Sequence, residues 1–152
     1  MASKRPWVIV LAGGSGTRFW PASSRERPKH LLPLVDGDVS LLRATVLRLE
    51  GLTDLDHVVV VTAADQAQAV REDLVGLLEP ENLVVEPVPR NTAPAIALAT
   101  VQLGLRGVGP HEPVIVLPSD HWIEDVSAFH AALARACEAA VEHKAILTLG
   151  VK

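Results

Sequence analysis

Three glycines within four residues, followed at short range by two fixed positive charges, define the chemistry open to this chain. The stretch WVIVLAGGSGTRFWPASSRERPK (7–29) runs from an apolar strand through Gly13, Gly14 and Gly16 to Arg18 and Lys29. Without a Cβ, such glycines reach φ > 0 and let the backbone lie against a ligand with its N–H groups exposed, a surface suited to oxyanions. Arg18 offers a planar fork able to grip two phosphate oxygens, and Lys29 a compact point charge. The loop fits neither common phosphate motif: it has no Gly-Lys-Ser/Thr ending, and Phe19 stands where a dinucleotide fingerprint needs its third glycine.

A second candidate is Asp120, directly after the apolar run VIVLP (114–118). A hard carboxylate oxygen suits Mg²⁺, which commonly takes one or two carboxylates and completes its shell with phosphates and water. The alternative for Asp120 is a turn or cap aspartate. His121 beside it fits a loop-shaping role better than metal ligation.

Charge is local rather than global. Residues 1–30 hold six Lys or Arg against one acid, whereas the rest hold eight against seventeen, within a net charge of −4. A nucleic-acid polymer normally requires a broad basic face, so a small polyanion is the better partner. The lone Cys137 excludes an internal disulfide. No apolar run approaches the roughly 20 residues needed to span a bilayer. A soluble cytoplasmic protein without a membrane partner is the expectation, with homo-oligomer formation left open.

These residues need a scaffold to position them. At 152 residues the chain is read as one domain, 1–152. Short β-branched runs at 7–12, 57–62, 83–86, 114–118 and 145–149 read as buried strands. Helical spacing over 40–52, 64–78, 92–105 and 127–143 alternates with them, with Ser40, Asn91 and Ser127 as N-cap candidates and Pro94 in a first turn. Cys137 shares its helical face with Phe129, Leu133 and Val141 and reads as core. The fold class is therefore α/β, a Rossmann-like open, mostly parallel sheet with helices on both faces. Ligands bind such sheets beyond the strands' carboxyl ends, and a 3-2-1-4 order would put the glycine loop and Asp120 over one crevice.

VLAGGSGTRFWP…PK closely resembles the signature of the sugar-phosphate nucleotidyltransferases, and EPVPRNTAPAIALA with VLPSDHWI resembles their mannose-1-phosphate guanylyltransferase branch. The resemblance covers nearly the whole chain and implies the nucleotide-diphospho-sugar transferase fold. It implies transfer of a guanylyl group from GTP to mannose 1-phosphate, with Mg²⁺, giving GDP-mannose and pyrophosphate. Arg18 would then stabilise the leaving pyrophosphate, and Lys29 would bridge the α-phosphate and the sugar phosphate. Leu11, Ala12, Gly13, Gly14, Ser15, Gly16 and Thr17 would line the nucleotide, with Asp120 as metal ligand.

The loop holding Glu86, Arg90, Asn91 and Thr92 would lie on the nucleotide side. A carboxylate can accept from guanine N1–H and N2–H₂, and an amide can pair with O6; Asn91 or Thr92 has helix capping as its alternative. Arg25, Arg27 and His30 read as surface or orienting residues, and His30 replaces the glutamine common after Pro-Lys in the family. Family members are longer, their sugar-binding motifs and second magnesium carboxylate lying beyond the matched part. The expectation is therefore a nucleotide-binding part truncated before the sugar-phosphate part. The alternatives are a non-catalytic nucleotide-binding or regulatory paralogue, or a nucleotidyltransferase for another sugar 1-phosphate.

Overall fold

A computed structural model describes residues 5–14, 28–33 and 38–150. Four short apolar runs form strands β1 (Trp7–Leu11), β2 (Val58–Ala63), β3 (Leu83–Glu86) and β4 (Val114–Pro118). They form one sheet in the order β3-β2-β1-β4, every pairing parallel, as the alternation of strand and helix requires. The central strands are buried on both faces, which is why β1 and β2 carry almost no polar residue.

Alternate residues of those strands feed two cores. Val8, Val10, Val58 and Val60 point to the face covered by α1 (Leu41–Leu47), α2 (Ala67–Asp73) and α4 (Val126–His143), where Leu42, Val46, Val70 and Leu133 meet them. Ile9, Val59, Val61 and Val84 point to the other face, where α3 (Thr92–Leu105) buries Ala95, Ala99 and Leu103. Each fully buried Val or Leu contributes about 1.5–3 kcal/mol, so both faces are held by apolar burial. Among the described residues, no helix is long and apolar enough to cross a membrane.

Helices α3 and α4 match the expected spans to within a residue, whereas α1 and α2 are shorter than their apolar periods. The α1 periodicity predicts 40–52, yet the helix stops at Leu47 and the chain turns into Gly51, whose φ of 86° no β-carbon residue adopts cheaply. Likewise α2 stops at Asp73, ahead of Gly76 at φ 75°. Ser40 caps α1 as expected, its Oγ accepting from Arg43 N at 2.9 Å. The α4 cap is Asp125 rather than Ser127: its Oδ1 accepts from Ala128 N at 2.8 Å, and its charge faces the helix's positive end.

Two expectations fail in the last third. Residues 145–149 form no strand, and Ile146 is 97% exposed. Lys144 takes a left-handed conformation and Ala145 N bonds Ala140 O at 3.2 Å, so the chain leaves α4 through a cap. Among the described residues nothing pairs with this run, and β propensity without a ladder partner does not make a strand. Val141 is 49% exposed rather than core, although Phe129 and Cys137 do pack on buried Leu133. Burial, with the Glu138 charge adding to it, pushes the Cys137 thiol up, which suits an inert packing role.

Candidate functional site

The sheet's carboxyl end is tied together by its own backbone. Ala12 N donates to Val61 O at 2.7 Å and Thr62 Oγ1 donates to Ala12 O at 2.9 Å. On the other side, Ser119 N donates to Leu11 O at 3.1 Å. The backbone entering the glycine turn is thus clamped from both neighbouring strands. Leu11 is half-buried and Ala12 fully buried, and both are held in place by this anchoring.

Of the three glycines of the loop, Gly13 and Gly14 lie among the described residues. Neither Gly13 nor Gly14 lies in the left-handed region. A Cβ on Gly13 would stand 3.2 Å from Glu86 Oε2, so the carboxylate would have to shift by a few tenths of an ångström, whereas Gly14 faces open space. Ser15, Gly16, Thr17 and Arg18, with Arg25 and Arg27, lie outside the described residues.

Lys29 opens a 3₁₀ turn, Lys29–Leu31, entered through extended Pro28. This turn is anchored where Leu41 N donates to Leu32 O at 3.3 Å. The Lys29 ammonium lies 3.1 Å from Asp120 Oδ2, an ion pair joining positions 91 residues apart. The side chains are 22% and 40% exposed, so both reach solvent. Asp120 is held by buried Ser119 before it and by His121 after it, whose carbonyl accepts from Arg48 Nη2 at 3.1 Å. The His121 ring is exposed, with Nε2 4.0 Å from Asp120 Oδ1, consistent with shaping the loop.

His30 is a core residue, not a surface one. It is 3% exposed, and its Nε2 has no hydrogen-bond partner among the described residues. Burial pushes its pKa down to about 4, opposed by the charge of Asp120, so the ring is neutral near pH 7.

On the opposite flank, Glu86 ends β3 opposite Ala63 and is 6% exposed, yet its carboxylate makes no hydrogen bond among the described residues. Buried carboxylates are normally paired, and the residues that follow Gly14 lie outside the described ones. Arg90, Asn91 and Thr92 are exposed. Asn91 stands at the N-cap position of α3, but with φ 68° and ψ −172° its side chain makes no capping bond. That conformation belongs essentially to glycine and costs about 1–3 kcal/mol. The capping alternative for Asn91 therefore fails, and its exposed amide makes no capping bond.

The structure thus unites Lys29 with Asp120 and Gly13 with Glu86, and leaves Arg90, Asn91 and Thr92 on an exposed rim. Among the described residues no three His, Cys, Asp or Glu side chains cluster around a metal position. One carboxylate with open access fits an ion that takes its remaining ligands from phosphates and water. Sequence reasoning assigned no role to Thr62 and Arg48, which orient the two loops; the hydroxyl after four valines near the end of β2 was the available signal for Thr62.

Comparison with known proteins follows the same division. The family model described as Nucleotidyl transferase matches residues 7–152. The chain is 42% identical over 144 residues to the xanthan biosynthesis protein XanB of Xanthomonas campestris, covering 95% of this chain and 30% of that protein. It is 38% identical over 152 residues to the mannose-1-phosphate guanylyltransferase of Escherichia coli, covering 99% of this chain and 31% of that protein. A crystal structure described as mannose-1-phosphate geranyltransferase from Thermus thermophilus superposes with a TM-score of 0.79 at 36% identity, covering 91% of this chain and 39% of that one. The chain therefore spans under a third of the length of these two curated relatives.

Proposed function

The chain belongs to the nucleotidyl transferase family, and we propose that it supplies the nucleotide half of a site transferring a guanylyl group from GTP to mannose 1-phosphate. A phosphate oxygen of the sugar phosphate attacks the α-phosphorus of GTP. The bond from that phosphorus to the bridging oxygen breaks, and pyrophosphate departs with the electron pair, leaving GDP-mannose. Such a reaction demands positioning and charge neutralisation more than covalent help.

The observation that carries the reading is Lys29 beside Asp120 at the carboxyl ends of adjacent β1 and β4. Lys29 would bridge the α-phosphate and the incoming sugar phosphate. Asp120 would hold Mg²⁺, which supplies positive charge to the phosphate oxygens when bound. Arg18 takes the leaving pyrophosphate, and Gly13, Gly14, Ser15, Gly16 and Thr17 carry backbone donors to the phosphates. Glu86 and Asn91 read the base, the carboxylate accepting from N1–H and N2–H₂ and the amide pairing with O6, while Arg90 and Thr92 border the ribose. The single cysteine and the lack of a spanning helix among the described residues support a cytoplasmic setting.

Isothermal calorimetry of the 152-residue chain with GTP and Mg²⁺ tests this reading. Saturable binding that weakens in Lys29→Met supports it; absence of GTP binding overturns it.

A further inference from the structure

The Lys29–Asp120 ion pair bears on how the two halves of the charge machinery are loaded, an inference resting on the nucleotidyl-transfer reading of the site. The carboxylate assigned to a divalent cation already has a cation on Oδ2, at 3.1 Å. That cation is the same ammonium assigned to the phosphates. One Lys29 ammonium cannot fully neutralise Asp120 and bridge two phosphates together.

We propose that Lys29 acts as a tethered cation on Asp120, displaced by the divalent ion, so that metal binding releases the ammonium to the nucleotide phosphates. The geometry suits an exchange. Both side chains reach solvent, so a hydrated ion can approach without unfolding. Their backbones are fixed, Lys29 by the 3₁₀ turn bonded to the start of α1, and Asp120 by the β1–β4 clamp. A flexible four-carbon stem lets the ammonium move while the carboxylate stays. With Lys29 on Asp120 the pair is neutral; with a divalent ion on Asp120 and the ammonium released, the pocket carries two net positive charges. Metal and nucleotide affinities are therefore linked, and linkage requires each to raise the other by the same factor.

The test uses Mn²⁺ as the probe, with free ion counted by electron paramagnetic resonance on the 152-residue chain without nucleotide. Lys29→Met removes the competing cation and binds Mn²⁺ about tenfold more tightly than the wild type, within the range of ordinary site coupling. The same variant loses most of the Mn²⁺ dependence of GTP affinity. Unchanged or weaker Mn²⁺ binding in Lys29→Met overturns the proposal, since Lys29 would then support the metal site.

Asp120→Asn separates the two levels of inference. Loss of Mn²⁺ binding in Asp120→Asn, alongside unaltered affinity in Lys29→Met, sinks only the exchange. Retention of Mn²⁺ affinity in Asp120→Asn sinks the metal assignment with it. Should Lys29→Met not fold, ¹⁵N-lysine-labelled wild-type protein decides: the Lys29 Nζ resonance moves during a Mg²⁺ titration, and a stationary signal overturns the exchange.

Discussion

The two flanks of the sheet's carboxyl end hold their charges in opposite ways. On the β1–β4 flank, Lys29 and Asp120 satisfy one another across 3.1 Å. On the β3–α3 flank, Glu86 is buried without a hydrogen-bond partner among the described residues, and Asn91 is held in a glycine-like conformation without capping its helix. The first flank is balanced and can exchange one partner for another. The second presents a carboxylate and an amide that bond no described residue, together with a backbone strain of about 1–3 kcal/mol at Asn91. A site that neutralises phosphates needs the former, and a site that selects a base needs the latter.

The largest effects should fall on the balanced flank. Replacing Lys29 with Met removes a preorganised charge from the reacting phosphates, a loss of roughly 3 kcal/mol, or about a hundredfold in rate. Pyrophosphate release assayed with GTP and mannose 1-phosphate measures it, and a loss below tenfold would detach Lys29 from the chemistry. Arg18→Gln should be comparable if it takes the leaving group.

His30 lies beneath this flank and gives it a pH dependence of similar size. Its folded pKa of about 4 is below the unfolded value of 6.5. Between those pH values the unfolded chain takes up a proton that the folded chain refuses. Stability is therefore intact above pH 6.5 and falls as pH drops towards 4, by up to about 3 kcal/mol. Urea midpoints at pH 7 and pH 4.5 measure this, and His30→Gln should flatten the difference. An equal pH response in the variant would assign the acid sensitivity elsewhere.

On the other flank, the Glu86 prediction is one of discrimination. Glu86→Gln keeps the shape but removes the charge that accepts from guanine N1–H and N2–H₂, so GTP affinity should fall about 10- to 100-fold while ATP affinity changes little. Gly13→Ala supplies an independent route to the same signature, because its Cβ would crowd Glu86 Oε2 from 3.2 Å. Equal losses for GTP and ATP in both variants would remove Glu86 from base recognition.

The contrast between flanks was only half legible in the sequence. The parallel sheet could be read because β1 and β2 are near-continuous valine and isoleucine runs joined by helical spans, while the 3-2-1-4 order entered only as a condition. The same rule misread AILTL, since 145–149 has the composition of a strand but no neighbour among the described residues. Asp120 and Lys29 could be named from residue type and position, but their pairing depends on a β1–β4 adjacency that no local pattern encodes. Gly13 could be named from residue type, but its closeness to Glu86, 3.2 Å from where a Cβ would stand, comes from the β1–β2–β3 order and not from the local sequence. Ser127 lost its cap to Asp125 because two capping residues two apart compete, and the charged one also meets the helix dipole.

The smallest predicted effect is the sharpest test of the second flank, because its two readouts move in opposite directions. Asn91→Gly relieves a backbone at φ 68° and ψ −172°, which costs about 1–3 kcal/mol for a residue with a β-carbon. Glycine returns part of that gain through its greater freedom in the unfolded chain, about 0.4–1 kcal/mol. The net is a stabilisation of about 1 kcal/mol, seen as a rise of a few degrees in Tm for a chain of this size. The amide is lost in the same substitution, so GTP affinity should fall even as stability rises. A stabilised variant with undiminished GTP affinity would leave the strain without a binding purpose. A destabilised one would mean that the Asn91 side chain, and not a ligand, holds the backbone in place.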